Sequence, residues 1–396
     1  MKKHSFIIDS LKTIISTLLI AFSLQLLAYP TISHALGNEE FGKILSAYTI
    51  ITISSVIVGN TLNNIRMINI KSFKDNLLYL NFIKLIVISM VIESVILIFL
   101  FLELYQLSVV ITSWLLIINI LMIIRIYMSV FFRIKLQYNK ILLAAIFQFI
   151  GLTIGLVIFK VTHFWVVIFL MSEISVVLYT IYTLRHLRLS KVKSHKNIIS
   201  EYVNLLISNG LNNLNIYLDR IILLPLIGGG AVALSFLATF IGKIFASFMY
   251  PINNVILSYI SVKNTDNKIK QYLIVNFYGL ILSGVIIVIS YPITVLIVEY
   301  LYRQDSAQVQ PYIIVGNIGV FFGVIATMIQ TLNTKYISIN KQTRYITIHT
   351  IIYIVLTIIA TWKLEILGFF IMTVLANLLK IILLTVIGIK DSKVAS

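Results

Sequence analysis

The residues best suited to chemistry are concentrated in one apolar stretch, 201–226. Read as a helix at about 100° per residue, it places Asn204, Ser208, Asn212, Asn215 and Asp219 within an arc of roughly 80°, with Asn209, Asn213 and Arg220 just beyond it. Half of that helix is polar along most of its length. The next segment repeats the pattern with Thr239, Lys243, Ser247, Tyr250, Asn254 and Ser258, and an earlier one carries Thr49, Thr52, Asn60, Asn63 and Asn64, ending at Arg66. A lone Ser or Asn in an apolar helix bonds a neighbouring helix. Two consecutive helices striped along a whole face point instead to a water-filled cavity.

Charges sharpen that reading. Lys243 stands about thirteen residues into its segment, and a Lys near the middle of a bilayer costs roughly 2.5–3.5 kcal/mol on insertion scales. It needs an acid, an anionic ligand or water beside it. Asp219 and Arg220 are sequence neighbours and so do not face each other on a helix, which leaves one to pair across the bundle and the other to face the lumen. Glu93 and Glu173 are the remaining deep acids. Each is either a proton or cation site or half of a structural ion pair, and the sequence does not decide between them. Lys84, Arg125 and Lys380 lie nearer the inner interface, where long side chains snorkel to water.

The elements that must position these residues are membrane helices. Of the 396 residues 59% are hydrophobic and only 11% charged, well under the roughly 25% of a soluble domain. Apolar windows long enough to cross a bilayer fall near 11–34, 43–64, 77–101, 107–131, 141–159, 162–184, 201–226, 230–260, 271–299, 310–334, 344–361 and 365–388. Strands are rejected because the runs are long and do not alternate. The fold expected is an all-α integral membrane protein with about twelve transmembrane helices in two six-helix bundles. Residues 1–184 form the first bundle, 185–200 a basic cytoplasmic linker, and 201–396 the second.

The net charge of +17 follows from loop composition and not from nucleic-acid binding, since no basic domain exists to carry it. With the N-terminus inside, the inner segments hold 23 Lys and Arg and the outer loops 4, a strong positive-inside bias that places both termini in the cytoplasm. The basic start Met1-Lys2-Lys3-His4 resembles a signal peptide, but the apolar run behind it is too long and reads as a retained first helix.

Several chemistries are excluded. Cysteine is absent, and none of the six His is spaced to share a metal ion, so neither metal nor other cofactor is expected. No Gly-rich loop with a Lys offers an ATP site. The outer loops, of about a dozen residues or fewer, and the lack of an Asp-x-Asp motif argue against a glycan polymerase, ligase or glycosyltransferase.

Two stretches resemble a known family. YPTISHALGNEEFGKILSAYTI, from Tyr29 to Ile50, and NIYLDRIILLPLIGGGAVALSFLATFIGKIFASFMYPINNVILSYI, from Asn215 to Ile260, resemble the polysaccharide and oligosaccharidyl-lipid flippase branch of the multidrug/oligosaccharidyl-lipid/polysaccharide (MOP) exporter superfamily. The matching positions are Pro30, Leu36, Gly37, Glu40, Phe41, Gly42, Asp219 and Arg220; Ala233-Leu234 departs from the pattern. The resemblance implies a V-shaped pair of bundles around a cavity lined by spans one, two, seven and eight. It also implies passage of an undecaprenyl-pyrophosphate-linked oligosaccharide from the inner to the outer leaflet of a bacterial cytoplasmic membrane, for O-antigen, capsule or a similar glycan. Membrane lipids, the lipid-linked substrate and polysaccharide polymerase machinery are the partners expected.

On this reading the cavity residues are Lys243, Arg220, Arg66, Asn204, Asn209, Asn212, Asn213, Asn215 and Asn254, and the ion-coupling candidates are Asp219, Glu93 and Glu173. The rival reading is a cation-coupled drug antiporter of the same superfamily. Its cationic substrates would favour an acidic cavity, whereas the mid-depth residue here is Lys243.

Overall fold

The computed structural model describes residues 3–69, 73–74, 77–190, 198–246, 268–337 and 339–390. Long runs of Ile, Leu and Val become helices because only a helix satisfies every backbone N–H and C=O within its own segment when lipid surrounds it. Eight described helices are long and apolar enough to cross a membrane, and the chain is a multi-pass membrane protein.

Two of those helices are far too long for one crossing. Leu11–Ile68 has 58 residues and Lys341–Lys390 has 50, each more than twice the span of a bilayer core at about 1.5 Å per residue. The first comprises α1 (Lys3–Phe22), a π-helical insertion (Ser23–Ala28) and α2 (Tyr29–Ile68), and it turns at Gly37, whose φ of 77° suits a residue without Cβ. The rings of Tyr29 and Phe41 then meet at 5.9 Å across the bend. The second very long helix breaks at Leu364 and Glu365. Its two arms run antiparallel, with His349 Nε2 2.9 Å from the Ala376 carbonyl and the Tyr353 hydroxyl 3.0 Å from Thr373 Oγ1. These breaks separate the sequence windows 11–34 from 43–64 and 344–361 from 365–388.

The chain divides into two compact units, Met1–Tyr217 and Leu218–Ser396. The boundary expected at 185–200 therefore lies farther along the chain. Unit 1 continues with β1 (Leu77–Tyr79), α3 (Leu80–Phe99), α4 (Val109–Met128), α5 (Val130–Ile134), α6 (Tyr138–Thr162), α7 (Val166–Leu184), β2 (Arg188–Ser190) and α8 (Ile199–Ile216). α8 belongs here because it bonds to the rest of the unit. Asn209 Nδ2 donates to Thr61 Oγ1 at 2.9 Å, Asn69 Nδ2 to Glu201 at 2.9 Å, and Ser89 and Tyr202 share a hydroxyl–hydroxyl bond of 2.5 Å.

Segments read from the sequence as inner-side come together at one end of unit 1. β1 and β2 pair in parallel, Leu77 opposite Arg188, and Lys135 Nζ lies 3.2 Å from His186 Nε2. The packed core at this end gathers Leu62, Ile65, Phe73, Tyr79, Phe82, Tyr127, Phe131 and Tyr202. Outward faces stay apolar. On α3, Val87, Ile88, Val91, Ile92, Val95 and Ile96 are exposed, the surface lipid tails would cover.

Unit 2 holds α9 (Leu218–Leu226), α10 (Gly229–Ala238), α11 (Phe240–Ala246), α12 (Lys268–Leu296), α13 (Gln310–Tyr336) and α14 (Ile339–Lys390). The described part of the eighth window is bent by 58° between α10 and α11. The cause is Asn317 on α13, whose Nδ2 donates to the Ala238 carbonyl at 2.9 Å. Gly242 makes room for it, since a Cβ there would collide with Asn317 Oδ1. Other amides join the helices of this unit: Asn333 donates to the Leu384 carbonyl at 3.0 Å and Asn377 to that of Gly319 at 2.9 Å.

Candidate functional site

Three of the charged residues singled out in the sequence meet in unit 2. Lys243 on α11 donates to Asp219 Oδ2 on α9 at 2.6 Å. The helix break at Thr239 aims α11, and with it Lys243, toward α9. Asp219 is buried, and the Lys243 side chain is partly buried beside it. Asp219 Oδ1 is buried without a hydrogen-bond partner among the described residues. The Arg220 guanidinium lies 5.5 Å from the centroid of the Phe236 ring, within cation–π range. The expectation that one of Asp219 and Arg220 pairs across the bundle is met by Asp219. Lys243 and Arg220 are the cations of this cluster, and Asp219 is the acid that Lys243 holds.

Unit 1 holds a second buried charge cluster. Arg125 on α4 grips Glu173 on α7 with two bonds, Nε to Oε2 at 2.7 Å and Nη2 to Oε1 at 3.1 Å. Gln148 on α6 adds a third donor to Oε1 at 3.0 Å. Glu173 is therefore half of an ion pair, and Arg125 does not snorkel. Glu93 on α3 is different. Its Oε1 accepts from Asn119 Nδ2 at 3.1 Å, and no described Lys, Arg or His pairs with it.

The remaining candidates are dispersed. Arg66 is wholly buried at the end of unit 1 where β1 and β2 pair, its guanidinium 4.9–5.9 Å from the rings of Phe73, Tyr79, Phe82 and Phe131 and its Nη2 donating to the Lys74 carbonyl at 2.6 Å. It presents no surface to a cavity, and the aromatic residues of the following loop explain why. Asn204 is exposed on α8 and Asn209 half-buried against Thr61. The side chains of Asn212, Asn213 and Asn215, and all of Asn254, lie outside the described residues.

Sequence reasoning missed Asn119, Asn317 and Gln148. Each is a single amide in an apolar run, and only its three-dimensional partner distinguishes it from ordinary helix-to-helix bonding. The described residues contain no group of three or more His, Cys, Asp or Glu able to hold a metal ion.

Comparison with known proteins places the fold. No protein-family profile matches the chain, and no curated protein does. Solved structures do match. Lipid II flippase MurJ in an inward closed conformation superimposes with a TM-score of 0.65 at 15% identity, over 97% of this chain and 88% of that one. A MOP superfamily transporter from Pyrococcus furiosus, whose binding pocket is described as having a reverse polarity that suggests a different function, gives 0.62 at 14% identity, over 97% and 94%. An outward-facing multidrug resistance MATE transporter gives 0.60 at 15% identity, over 93% and 92%. These superpositions give the chain the all-helical fold seen in these transporter structures.

Proposed function

We propose that the protein is a flippase that moves an undecaprenyl-pyrophosphate-linked oligosaccharide, the repeat unit of a surface polysaccharide such as O-antigen or capsule, from the inner to the outer leaflet of a bacterial cytoplasmic membrane. The observation that carries this reading is the cluster of Lys243, Arg220 and Asp219, which brings two cations, one of them held by Asp219, to a place where a membrane helix disfavours any charge. Such a cluster attracts a pyrophosphate through charge-assisted hydrogen bonds and repels the cationic drugs an antiporter would carry. The likeness in fold to a protein described as a lipid II flippase supports a lipid-linked substrate.

In this reading Lys243 exchanges Asp219 for phosphate oxygens, and Arg220 adds a second cation. The amides of Asn204, Asn209, Asn212, Asn213, Asn215 and Asn254 bond sugar hydroxyls, while the acyl tail stays in lipid. An ion gradient or the membrane potential drives the cycle, with Asp219 and Glu93 as the titratable groups. Both termini face the cytoplasm, where the loop charges put them, and polysaccharide polymerase machinery is the partner that would receive the product.

Lys243 provides the test. Lys243→Arg should keep substantial glycan export, while Lys243→Ala and Lys243→Glu should abolish it, each at normal membrane abundance. Normal export by Lys243→Glu at normal abundance eliminates the cation role. A fall in abundance equal to the fall in export reassigns the pair with Asp219 to structure.

A further inference from the structure

The buried stripe of α3 consists of Phe82, Leu85, Ser89, Glu93 and Leu97, one side of a helix whose other faces are exposed and apolar. Glu93 is 7% exposed on that stripe, and its only direct contacts among the described residues are amide and hydroxyl groups. Asn119 on α4, itself 1% exposed, reaches its Oε1 at 3.1 Å, and the Ser54 hydroxyl of α2 stands beside the carboxyl.

The charged groups on every packed element are engaged elsewhere. On α2, Lys43 pairs with Glu39 and Glu40 and Arg66 sits in its ring cage; on α4, Arg125 holds Glu173; on α8, Glu201 accepts from Asn69 and the Tyr202 hydroxyl bonds Ser89. Lys84, on α3 itself, is exposed more than two turns away.

The hydrogen-bond inventory of this cluster is short of one proton. Asn119 Nδ2 has two hydrogens but four acceptors within 3.3 Å: the Ile51 carbonyl, Ser54 Oγ, Ser55 Oγ and Glu93 Oε1. Both serine hydroxyls have the Ile51 carbonyl within reach, at 3.2 and 2.6 Å, and Ser55 Oγ also lies 3.4 Å from the Asn119 carbonyl. Two buried acceptors have no donor among the described residues, Glu93 Oε2 and Asn119 Oδ1. They belong to the two groups already joined by the Asn119–Glu93 bond. A carboxylic acid and a primary amide form a two-bond ring in which N–H donates to one carboxyl oxygen and the acid O–H donates to the amide oxygen. One half of that ring is present, and a proton on Glu93 Oε2 supplies the other. A carboxylate without a cation at this depth is also the costliest state of the group.

We infer that Glu93 and Asn119 form a proton-binding site in unit 1, with the Glu93 carboxyl held as the acid and the Asn119 amide as its partner. On the transporter reading given above, this proton is the coupling ion.

The test uses the full chain in lipid vesicles and dicyclohexylcarbodiimide, an apolar reagent that adds to protonated carboxyl groups. Mass spectrometry of peptides reads the labelled position, and Glu173, bonded to Arg125 and Gln148, is the internal control. At pH 6 Glu93 should label at least about tenfold faster than Glu173, with the rate falling as pH rises. Infrared spectra should show a carboxylic-acid C=O band that is absent from Glu93→Gln and moves to higher frequency in Asn119→Leu, as an acid does on losing its hydrogen bonds. Equal labelling of Glu93 and Glu173 overturns the site, and protection by sodium at constant pH reassigns it to a metal cation. An unmoved band in Asn119→Leu removes the amide from it. None of these readouts needs the transported substrate, so they stand or fall apart from the flippase reading. Normal export by Glu93→Gln, at normal abundance, would strip the proton of its coupling role alone.

Discussion

Among the described residues each unit shows an interhelical ion pair on a buried carboxyl group, and the two pairs are built differently. In unit 1, Arg125 presents a planar fork to both oxygens of Glu173, and Gln148 adds a third donor. In unit 2, Lys243 presents a single charge to one oxygen of Asp219 and leaves Oδ1 without a partner among the described residues. Guanidinium and ammonium are not interchangeable here. The fork fixes geometry at both oxygens, whereas the ammonium is a point charge on a flexible stem that can move to another anion. The comparison teaches that the same pairing of charges can fasten helices together in one unit and offer an exchangeable cation in the other.

Breaking each pair from its cationic side is the strongest test of that contrast. Arg125→Leu strands a buried carboxylate and should cost about 3–5 kcal/mol, read as a large drop in melting temperature and membrane abundance. Lys243→Leu should cost markedly less, because Arg220 remains as a cation beside Asp219. Equal losses would erase the distinction.

A smaller effect separates geometry from charge. Arg125→Lys keeps the charge but gives up the bidentate fork, and should cost about 1–3 kcal/mol, whereas Lys243→Arg should leave the melting temperature nearly unchanged. The smallest effect belongs to the third donor. Gln148→Leu removes one bond to Glu173 and should cost about 1 kcal/mol; a larger loss would show that Gln148, and not the fork, holds the carboxylate.

Much of the frame was legible in the sequence because bilayer thickness sets helix length and breakers mark the turns. Gly37 reads as a breaker and is a turn; the windows 344–361 and 365–388 fall on the two arms of α14. The pairing of Asp219 across the bundle was legible in kind, since a helix separates adjacent residues, but the choice of Lys243 as partner needed the fold. The break between α10 and α11 was not legible. It arises from Asn317, roughly eighty residues along the chain and on another helix, and no Pro or turn motif marks it locally. Arg66 was misplaced because a charge at the end of a polar stripe reads as part of that stripe, while the rings that enclose it come mostly from the residues after it.

The packing of α8 within unit 1 has a consequence for biogenesis. Thr61, Asn69 and Ser89 are inserted early, yet their partners Asn209, Glu201 and Tyr202 follow 148, 132 and 113 residues later. The first six spans can therefore enter the membrane before unit 1 has all its hydrogen bonds. A nascent chain arrested after residue 190 should hold those three polar groups open to substitutes, such as a membrane chaperone or water, until the seventh span emerges and closes the unit.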